Sequence, residues 1–220
     1  MTNIIFLGAP GSGKGTQAAM IAKDLLIPAI STGEILRNEV ANGTEIGKIA
    51  KSYMESGKLV PDEIVVAMIK NRISISDCDK GFILDGFPRN IAQGQVLDEM
   101  LKGIEKKINA VIEIAVEDEV IINRISGRFS CKNCGMVYNR FFNLPKQANI
   151  CDKCGGVDFE SRSDDDLEIV VNRLKTYHNN TKELVEFYRK KHLLSSIDGL
   201  KEIPLVNYEI RKILNIHNKN

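Results

Sequence analysis

The chain has 220 residues, and 30 Lys and Arg against 29 Asp and Glu leave a formal net charge of +1. This length predicts one or two compact domains, and 43% hydrophobic with 27% charged residues is typical of a globular protein. The near-neutral charge argues against a globally basic nucleic-acid binder. No apolar run approaches the ~18 residues of a membrane span, and no secretory leader precedes Asn3. We therefore expect a cytoplasmic protein without a membrane partner.

Apolar runs of strand length recur along the chain, at residues 3–8, 28–30, 82–84, 110–116 and 193–197. The first of them is continuously apolar rather than alternating, which is typical of a strand buried on both faces of a parallel sheet. Helical patterns separate the runs. This rhythm predicts an α/β domain with a parallel sheet and helices on both faces.

Local signals predict several helix boundaries. Ser31 and Glu34 have the spacing of a capping box, which indicates a helix starting at Ser31. Pro61 suits a first helical turn and predicts a helix through about Arg72. Helical sequence from residue 165 is expected to bend near residues 178–181, and Pro204 lies near the start of a closing helix.

Residues 8–16, Gly-Ala-Pro-Gly-Ser-Gly-Lys-Gly-Thr, lie between a predicted strand and a predicted helix, as in a phosphate-binding P-loop. Backbone N–H groups of such a loop, together with the helix N-terminus, bind phosphate oxygens. Lys14 would supply a positive charge at the β- and γ-phosphates. Gly15 separates Lys14 from Thr16, so we expect Thr16 to contact phosphate rather than magnesium. A glycine-rich turn without a ligand is the alternative.

Carboxylate and guanidinium groups accompany the P-loop. Asp85 ends a predicted strand, from which it could hold Mg²⁺ through water; a simple turn residue is the alternative. Six arginines lie at motif boundaries: Arg37, Arg89, Arg124, Arg128, Arg162 and Arg173. Because guanidinium groups bind phosphate bidentately and stay charged, the set favours phosphoryl transfer, although any single arginine is more often a solvated surface residue.

The periodic pattern stops between residues 127 and 164, which predicts an inserted small module. It carries two Cys-x₂-Cys pairs: Cys131, Cys134, Cys151 and Cys154. This spacing is typical of a zinc ribbon, and four thiolates with no open position indicate structural rather than catalytic Zn²⁺. Two disulfides or four free thiols are the alternatives, and iron or cobalt would also suit four thiolates. Cys78 lies outside the pattern.

Taken together, these motifs resemble the adenylate kinase family of P-loop NTPases, in its long form with a metal-bearing lid. The resemblance rests on residues 8–16, 31–37, 57–60, 85–89, 124–128 and 162–165, and it covers the chain to about residue 216. It implies a three-layer α/β/α core with a central parallel sheet, built from residues 1–30, 61–126 and 165–220. It further implies a helical NMP-binding segment at 31–60 and a zinc-ribbon-like lid at 127–164.

The resemblance implies reversible, Mg²⁺-dependent transfer of the terminal phosphoryl group of ATP to AMP, giving two ADP and serving adenine nucleotide homeostasis. It implies a monomer without a nucleic-acid partner, and structural Zn²⁺ in the lid. The catalytic residues it implies are Lys14, Arg89, Arg124, Arg162 and Arg173. The ATP-binding residues it implies are Gly11, Ser12, Gly13, Lys14, Gly15, Thr16, Arg124, Arg128, Val137, Tyr138 and Lys201. The AMP-binding residues it implies are Thr32, Arg37, Lys58, Leu59, Val60, Gly86, Phe87, Pro88, Arg89, Gln93, Arg162 and Arg173.

Two positions refine this expectation. Phe129 departs from the family pattern, which often has a second arginine after Arg128, so the grip of the lid on the donor is in question. The amide of Gln93 suits adenine, because it can accept from N6 and donate to N1, whereas guanine presents the opposite pattern.

Two other functions stay open at this point. A UMP/CMP kinase is less favoured because those relatives usually lack the long cysteine lid. A P-loop ATP switch or zinc-ribbon nucleic-acid binder is less favoured because acidic residues accompany the basic residues of the cysteine module.

Overall fold

The computed structural model describes residues 2–216; Met1 and residues 217–220 of the predicted core lie outside them. The described strands are β1 (Thr2–Leu7), β2 (Ala29–Ser31), β3 (Gly81–Asp85), β4 (Ala110–Ala115), β5 (Arg128–Cys131), β6 (Val137–Asn139), β7 (Phe159–Glu160) and β8 (Leu194–Asp198). Five of them form one sheet in the order β2-β3-β1-β4-β8. Every neighbouring pair in it is parallel. The predicted parallel sheet is confirmed.

The α-helices of the described residues are α1 (Lys14–Leu25), α2 (Thr32–Ala41), α3 (Glu45–Glu55), α4 (Asp62–Ile73), α5 (Ile91–Lys102), α6 (Asp118–Ser126), α7 (Leu167–Thr176), α8 (Glu183–Lys190) and α9 (Ile203–Ile213). Ser31 caps α2 as predicted, because its side chain accepts a hydrogen bond from the Glu34 backbone N–H. Pro61 immediately precedes α4. A π-helical turn at Tyr177–Thr181 joins α7 to α8 where the bend is predicted. The second helix of the 31–60 segment, α3, was not individually predicted.

Both faces of the parallel sheet are buried, which explains the continuously apolar strands. On one face, Ile5 and Leu84 belong to a cluster that includes side chains of α4, α5 and α8. On the other, Ile4 and Ile83 pack with α1 and α9. Since successive side chains of a strand point to opposite faces, one apolar run serves both layers. The result is the three-layer α/β/α architecture.

The parallel register brings the carboxyl ends of three strands together. Phe6 of β1 and Ser31 of β2 both align with Asp85 of β3. The segments that follow these strands therefore start at one edge of the sheet. This edge lies beside β1, where the strand order reverses, and open α/β sheets bind ligands at such a point.

Residues 127–164 contain a separate antiparallel sheet in the order β6-β5-β7. Its small core is formed by Cys131, Tyr138 and Cys151, with Phe129 and Phe159 packed against them. Among the helices of residues 2–216, none has both the length and the apolar character needed to cross a bilayer.

Candidate active site

The P-loop joins β1 to α1, and two of its glycines have no room for a side chain. A Cβ on Gly8 would lie 2.5 Å from the Ile114 carbonyl oxygen, and one on Gly11 would lie 2.6 Å from Cγ1 of Ile125. Both residues also have positive φ, at 138° and 81°, which favours glycine. The loop thus packs tightly on β4 and α6, and helix α1 begins at Lys14.

Lys14 is the first residue of α1, and its Nζ donates a hydrogen bond of 2.7 Å to the Ala9 carbonyl oxygen. Burial lowers the pKa of Lys14 to about 8; Asp85 opposes this shift, and Arg89, Arg173 and Arg128 add to it. Cationic side chains from three separate chain segments therefore lie within electrostatic reach of one P-loop lysine. The structure brings together residues that the sequence presents up to 159 positions apart (173 − 14).

Two aspartates organise the arginines. Arg173 donates hydrogen bonds to the carboxylate and the carbonyl oxygen of Asp164, at 2.9 and 3.0 Å. Arg128 forms a bidentate pair with Asp165. An Arg37 nitrogen lies 3.7 Å from the same Asp164 oxygen that Arg173 contacts. Sequence analysis missed these counter-ions, although both aspartates directly follow the predicted site residue Arg162 and its neighbour.

Burial within the cluster lowers the pKa of two of its arginines. Burial, with Arg128 adding to the shift and Asp164 and Asp165 opposing it, brings the pKa of Arg173 and of Arg162 down to about 10. The second carboxylate oxygen of Asp164, Oδ1, is buried without a hydrogen-bond partner among the described residues. Such a concentration of buried positive charge suits a polyanionic ligand.

Residues of the predicted AMP site surround the end of β3. The hydroxyl of Thr32 and the Nε of Arg89 both donate to the Gly86 carbonyl oxygen, at 2.8 and 2.9 Å. Burial lowers the pKa of Arg89, Asp85 opposes the shift and Arg37 adds to it. The structure therefore places Thr32 and Arg37 of the 31–37 motif beside Arg89 of the 85–89 motif.

Gln93 is buried, with an exposed fraction of 2%, and both ends of its amide have protein partners. Its Oε1 accepts from the Arg89 backbone N–H at 2.7 Å, and its Nε2 donates to Asp62 at 2.7 Å. Sequence analysis did not single out Asp62, although it follows the predicted site residues 58–60 after one proline.

The 58–60 segment runs from solvent into the core. Lys58 is exposed, Leu59 is half-buried and Val60 is buried. Gly57 precedes them with φ of 68°, and its carbonyl oxygen accepts a hydrogen bond from Thr176 of α7 at 3.0 Å. A Cβ on Gly57 would lie 2.9 Å from the Ile169 carbonyl oxygen. The helical segment 31–60 therefore makes close contact with α7.

Arg124 links the P-loop to the segment after β8. Its guanidinium donates to the Gly199 carbonyl oxygen at 2.8 Å and lies 3.4 Å from that of Ser12. Burial lowers its pKa. Lys201 lies in the same segment, with its Nζ paired to Glu209 at 2.5 Å.

The aromatic residues of the lid serve its own core. Tyr138 is 1% exposed; its hydroxyl donates to Cys151 Sγ at 3.4 Å and accepts from the Asp152 backbone N–H at 2.7 Å. Phe129 stacks on Tyr138 with ring centroids 5.6 Å apart. Because the Tyr138 side chain is committed to the lid, only its backbone can contact a nucleotide. Phe129 likewise serves packing where the family often has an arginine.

The four cysteines form one cluster, in which all the sulfur atoms lie within 4.8 Å of one another. Cys131 and Cys154 are 3.6 Å apart, and Cys134 and Cys151 are 3.5 Å apart. These separations exceed a disulfide bond of about 2.05 Å and are close to the ~3.8 Å edge of a tetrahedron with zinc–sulfur bonds of about 2.3 Å. The donor set therefore fits a four-coordinate, thiolate-preferring metal ion.

Comparison with known proteins agrees with this geometry. The family model described as adenylate kinase matches residues 6–193. The chain is 52% identical over 212 residues to an adenylate kinase of Archaeoglobus fulgidus, covering 96% of this chain and 97% of that protein. Adenylate kinases of Methanosarcina acetivorans and Enterococcus faecalis are 49% and 47% identical, each over 96% of this chain and 98% of the relative. With this identity over nearly the whole length, the chain belongs to the adenylate kinase family of phosphotransferases.

Proposed function

We propose that this enzyme catalyses the reversible transfer of the terminal phosphoryl group of ATP to AMP, giving two ADP, and so serves adenine nucleotide homeostasis. The observation that carries the proposal is the convergence of arginines from separate segments beside the P-loop: Arg37 and Arg173 meet at one oxygen of Asp164, and Arg89 donates to Gly86 at the end of β3. Phosphoryl transfer needs positioning and charge neutralisation more than covalent chemistry, and this cluster supplies both.

The donor ATP binds with its phosphates in the P-loop. Backbone N–H groups of residues 11–16 and the Lys14 ammonium hold the β- and γ-phosphates. Arg124, which contacts the carbonyl oxygens of both Ser12 and Gly199, is assigned to the donor ATP and to catalysis, and the backbone at Lys201 to the donor base. Arg128 and the backbone of Val137 and Tyr138 complete this side from the lid.

The acceptor AMP binds beyond the end of β3. Arg37, Arg89 and Arg173 hold its phosphate, and Thr32 with the backbone of Gly86 lies beside them. Residues 58–60, together with Phe87, Pro88 and Gln93, enclose the base. Arg162 and Arg173 neutralise the charge that spreads over the transferring group.

No side chain is needed as a general base. Within residues 2–216, His178 and His192 are exposed, and His178 pairs with Asp118. His217 lies outside the described residues. Exclusion of water matters more, because bound ATP would otherwise be hydrolysed. Residues 31–60 and the lid at 127–164 close over the nucleotides, while the described residues of 1–30, 61–126 and 165–220 form the fixed core.

Two metal ions accompany this function. Mg²⁺ bound with ATP would neutralise charge on the phosphate oxygens, and Asp85 would hold it through water, since a carboxylate oxygen is a ligand that Mg²⁺ accepts. Zn²⁺ held by the four cysteines would supply folding energy that the small lid core lacks. We further propose that the enzyme is a cytoplasmic monomer whose partners are only ATP, AMP and ADP.

A coupled assay for ADP formation from Mg·ATP, with and without AMP, tests the proposal. We expect two ADP per ATP consumed and no turnover without an acceptor. ADP formation that does not depend on AMP would instead indicate an ATPase. A panel of AMP, CMP, UMP and GMP separates this function from that of a UMP/CMP kinase, and a preference for UMP or CMP would overturn the choice of acceptor.

A further inference from the structure

The amide of Gln93 is held at both ends by groups of opposite hydrogen-bonding character. The backbone N–H of Arg89 can only donate, and it meets Oε1; the carboxylate of Asp62 accepts, and it meets Nε2. Rotating the amide by 180° would turn the Nε2 donor towards the Arg89 N–H, which is also a donor. It would turn the Oε1 acceptor towards the Asp62 carboxylate, which is also an acceptor. The orientation of Gln93 is therefore dictated by the chemistry of its two partners.

Asp62 is itself held in place. It lies in the first turn of α4 and accepts a second set of hydrogen bonds, at 2.9 and 3.2 Å, from the side-chain amide of Asn90. The other end of Asn90 caps α5, because its Oδ1 accepts from the Gln93 backbone N–H at 2.8 Å. Asp62, Asn90 and Gln93 thus form a closed ring of hydrogen bonds between the starts of two helices.

The orientation of the Gln93 amide matters because its two orientations hydrogen-bond to purines with opposite donor and acceptor patterns. An amide has two donor hydrogens and two acceptor lone pairs, and the contacts to Arg89 and Asp62 use one of each. The remaining pair can accept from N6 and donate to N1 of adenine. The rotated amide would donate to O6 and accept from N1–H, which is the edge presented by guanine and hypoxanthine.

We propose that Asp62 is a specificity-determining positioning residue: its carboxylate locks Gln93 in the orientation that reads a 6-aminopurine acceptor. Asp62 touches neither nucleotide and acts through Gln93. This inference rests on the proposed function, because it concerns the acceptor base of the same site.

The test compares AMP with inosine monophosphate, whose base presents the guanine-like edge without the 2-amino group. Asp62→Asn keeps the shape of the side chain but removes the carboxylate that can only accept, so the Arg89 backbone N–H becomes the one group that opposes the rotated amide. We expect the ratio of kcat/KM for AMP to that for inosine monophosphate to fall at least about tenfold, equivalent to ~1.4 kcal/mol. The KM for Mg·ATP should change less than about twofold. Asp62→Ala should lower the ratio in the same direction, and Asp62→Glu, which still only accepts, should retain most of it.

Glu63 supplies the matched control. It lies in the same first turn and is exposed, so Glu63→Gln removes an equal charge from the turn without touching Gln93. The ratio should stay at its wild-type value. An equal fall in Glu63→Gln, or an unchanged ratio in both Asp62→Asn and Asp62→Ala, would overturn the inference.

The unaltered protein offers a measurement that does not depend on a variant folding. In NMR spectra, the side-chain amide protons of Gln93 should show nuclear Overhauser effects to the Asp62 β-protons and weak ones to the Arg89 amide proton. The reverse pattern would overturn the inference. Failure of the proposed function is distinct, because the wild-type enzyme would then form no ADP in response to AMP.

Discussion

At the scale of single residues, Lys14 carries a positive charge that is unfavourable in the site without a ligand. Its ammonium lies among three arginines with Asp85 as the opposing carboxylate, and its pKa falls to about 8 from 10.5. A group whose folded pKa lies below its unfolded value destabilises the folded state at pH values below both. We expect a bound polyphosphate to relieve this cost, in which case the same arrangement would favour ATP.

Replacement of Lys14 should therefore separate activity from stability. We expect Lys14→Met to lower kcat/KM by at least about a hundredfold, as for loss of a preorganised charge contact. Its melting temperature at pH 7 should equal or exceed that of the wild type. Kinetics and thermal unfolding monitored by circular dichroism measure the two effects. Near wild-type turnover would contradict the role given to the P-loop lysine.

The pH dependence follows from the same residue. Only protonated Lys14 attracts phosphate, so kcat/KM for Mg·ATP should fall as pH rises through about 8. The Lys14→Arg variant stays charged, and its profile should remain flat over this range even if its activity is lower. The free energy of unfolding responds in the opposite direction. The destabilising contribution of Lys14 is lost between pH 8 and 10.5, so this residue lowers the stability of the fold less as pH rises. A wild-type activity profile that stays flat to about pH 9 would contradict the assignment.

At the scale of elements, the cysteine module has too small a core to fold on packing alone. The buried residues of its hydrophobic cluster are Cys131, Tyr138 and Cys151, and two of these three are metal-site cysteines. The strands β5, β6 and β7 contain only two to four residues each. Metal binding is thus expected to provide the folding energy of this element.

Loss of one thiolate should test this dependence. We expect Cys151→Ser to reduce bound metal from about one ion per chain to near zero and to lower the melting temperature. Elemental analysis and calorimetry provide the measurements. Cys78, buried outside the cluster, gives the control, since Cys78→Ala should retain the metal. Unchanged metal content in Cys151→Ser would show that the cysteines form no site.

At the scale of the whole molecule, the site is assembled from segments that only the fold brings together. Arg128 begins β5, Arg173 lies on α7 and Arg37 on α2, yet each interacts with Asp164. Groups that must surround both phosphates thus belong to different segments of the molecule. Binding of both nucleotides should couple these segments.

Hydrogen exchange measures this coupling. We expect ATP and AMP together to slow amide exchange in residues 31–60 and 127–164 more than either nucleotide alone, while β1 and β3, already buried, change little. A non-hydrolysable ATP analogue prevents turnover during the measurement. Equal protection by ATP alone would contradict joint closure.

Much of the architecture follows from local sequence. The P-loop glycines, the Ser31 cap and the apolar strands are properties of neighbouring residues, and they were predictable because backbone conformation and burial pattern act over a few positions. Helix α3 was missed even though Thr44 caps it by accepting a hydrogen bond from the Gly47 backbone N–H. Helix α3 packs against α2, because a Cβ on Gly47 of α3 would clash with the backbone of Glu39 in α2.

The sequence by itself determined the family, the parallel α/β core, the phosphate-binding loop and the cysteine cluster, because each has residue types at characteristic spacings along the chain. Only the tertiary structure revealed that Asp62 accepts a hydrogen bond from Gln93, that Asp164 and Asp165 pair with the arginines, and that Tyr138 and Phe129 pack in the lid core. These hydrogen bonds join residues that lie 9, 31 and 37 positions apart, beyond the span of a single helical turn. Hydrogen-bond direction and charge pairing depend on distance in space, which the order of residues does not specify.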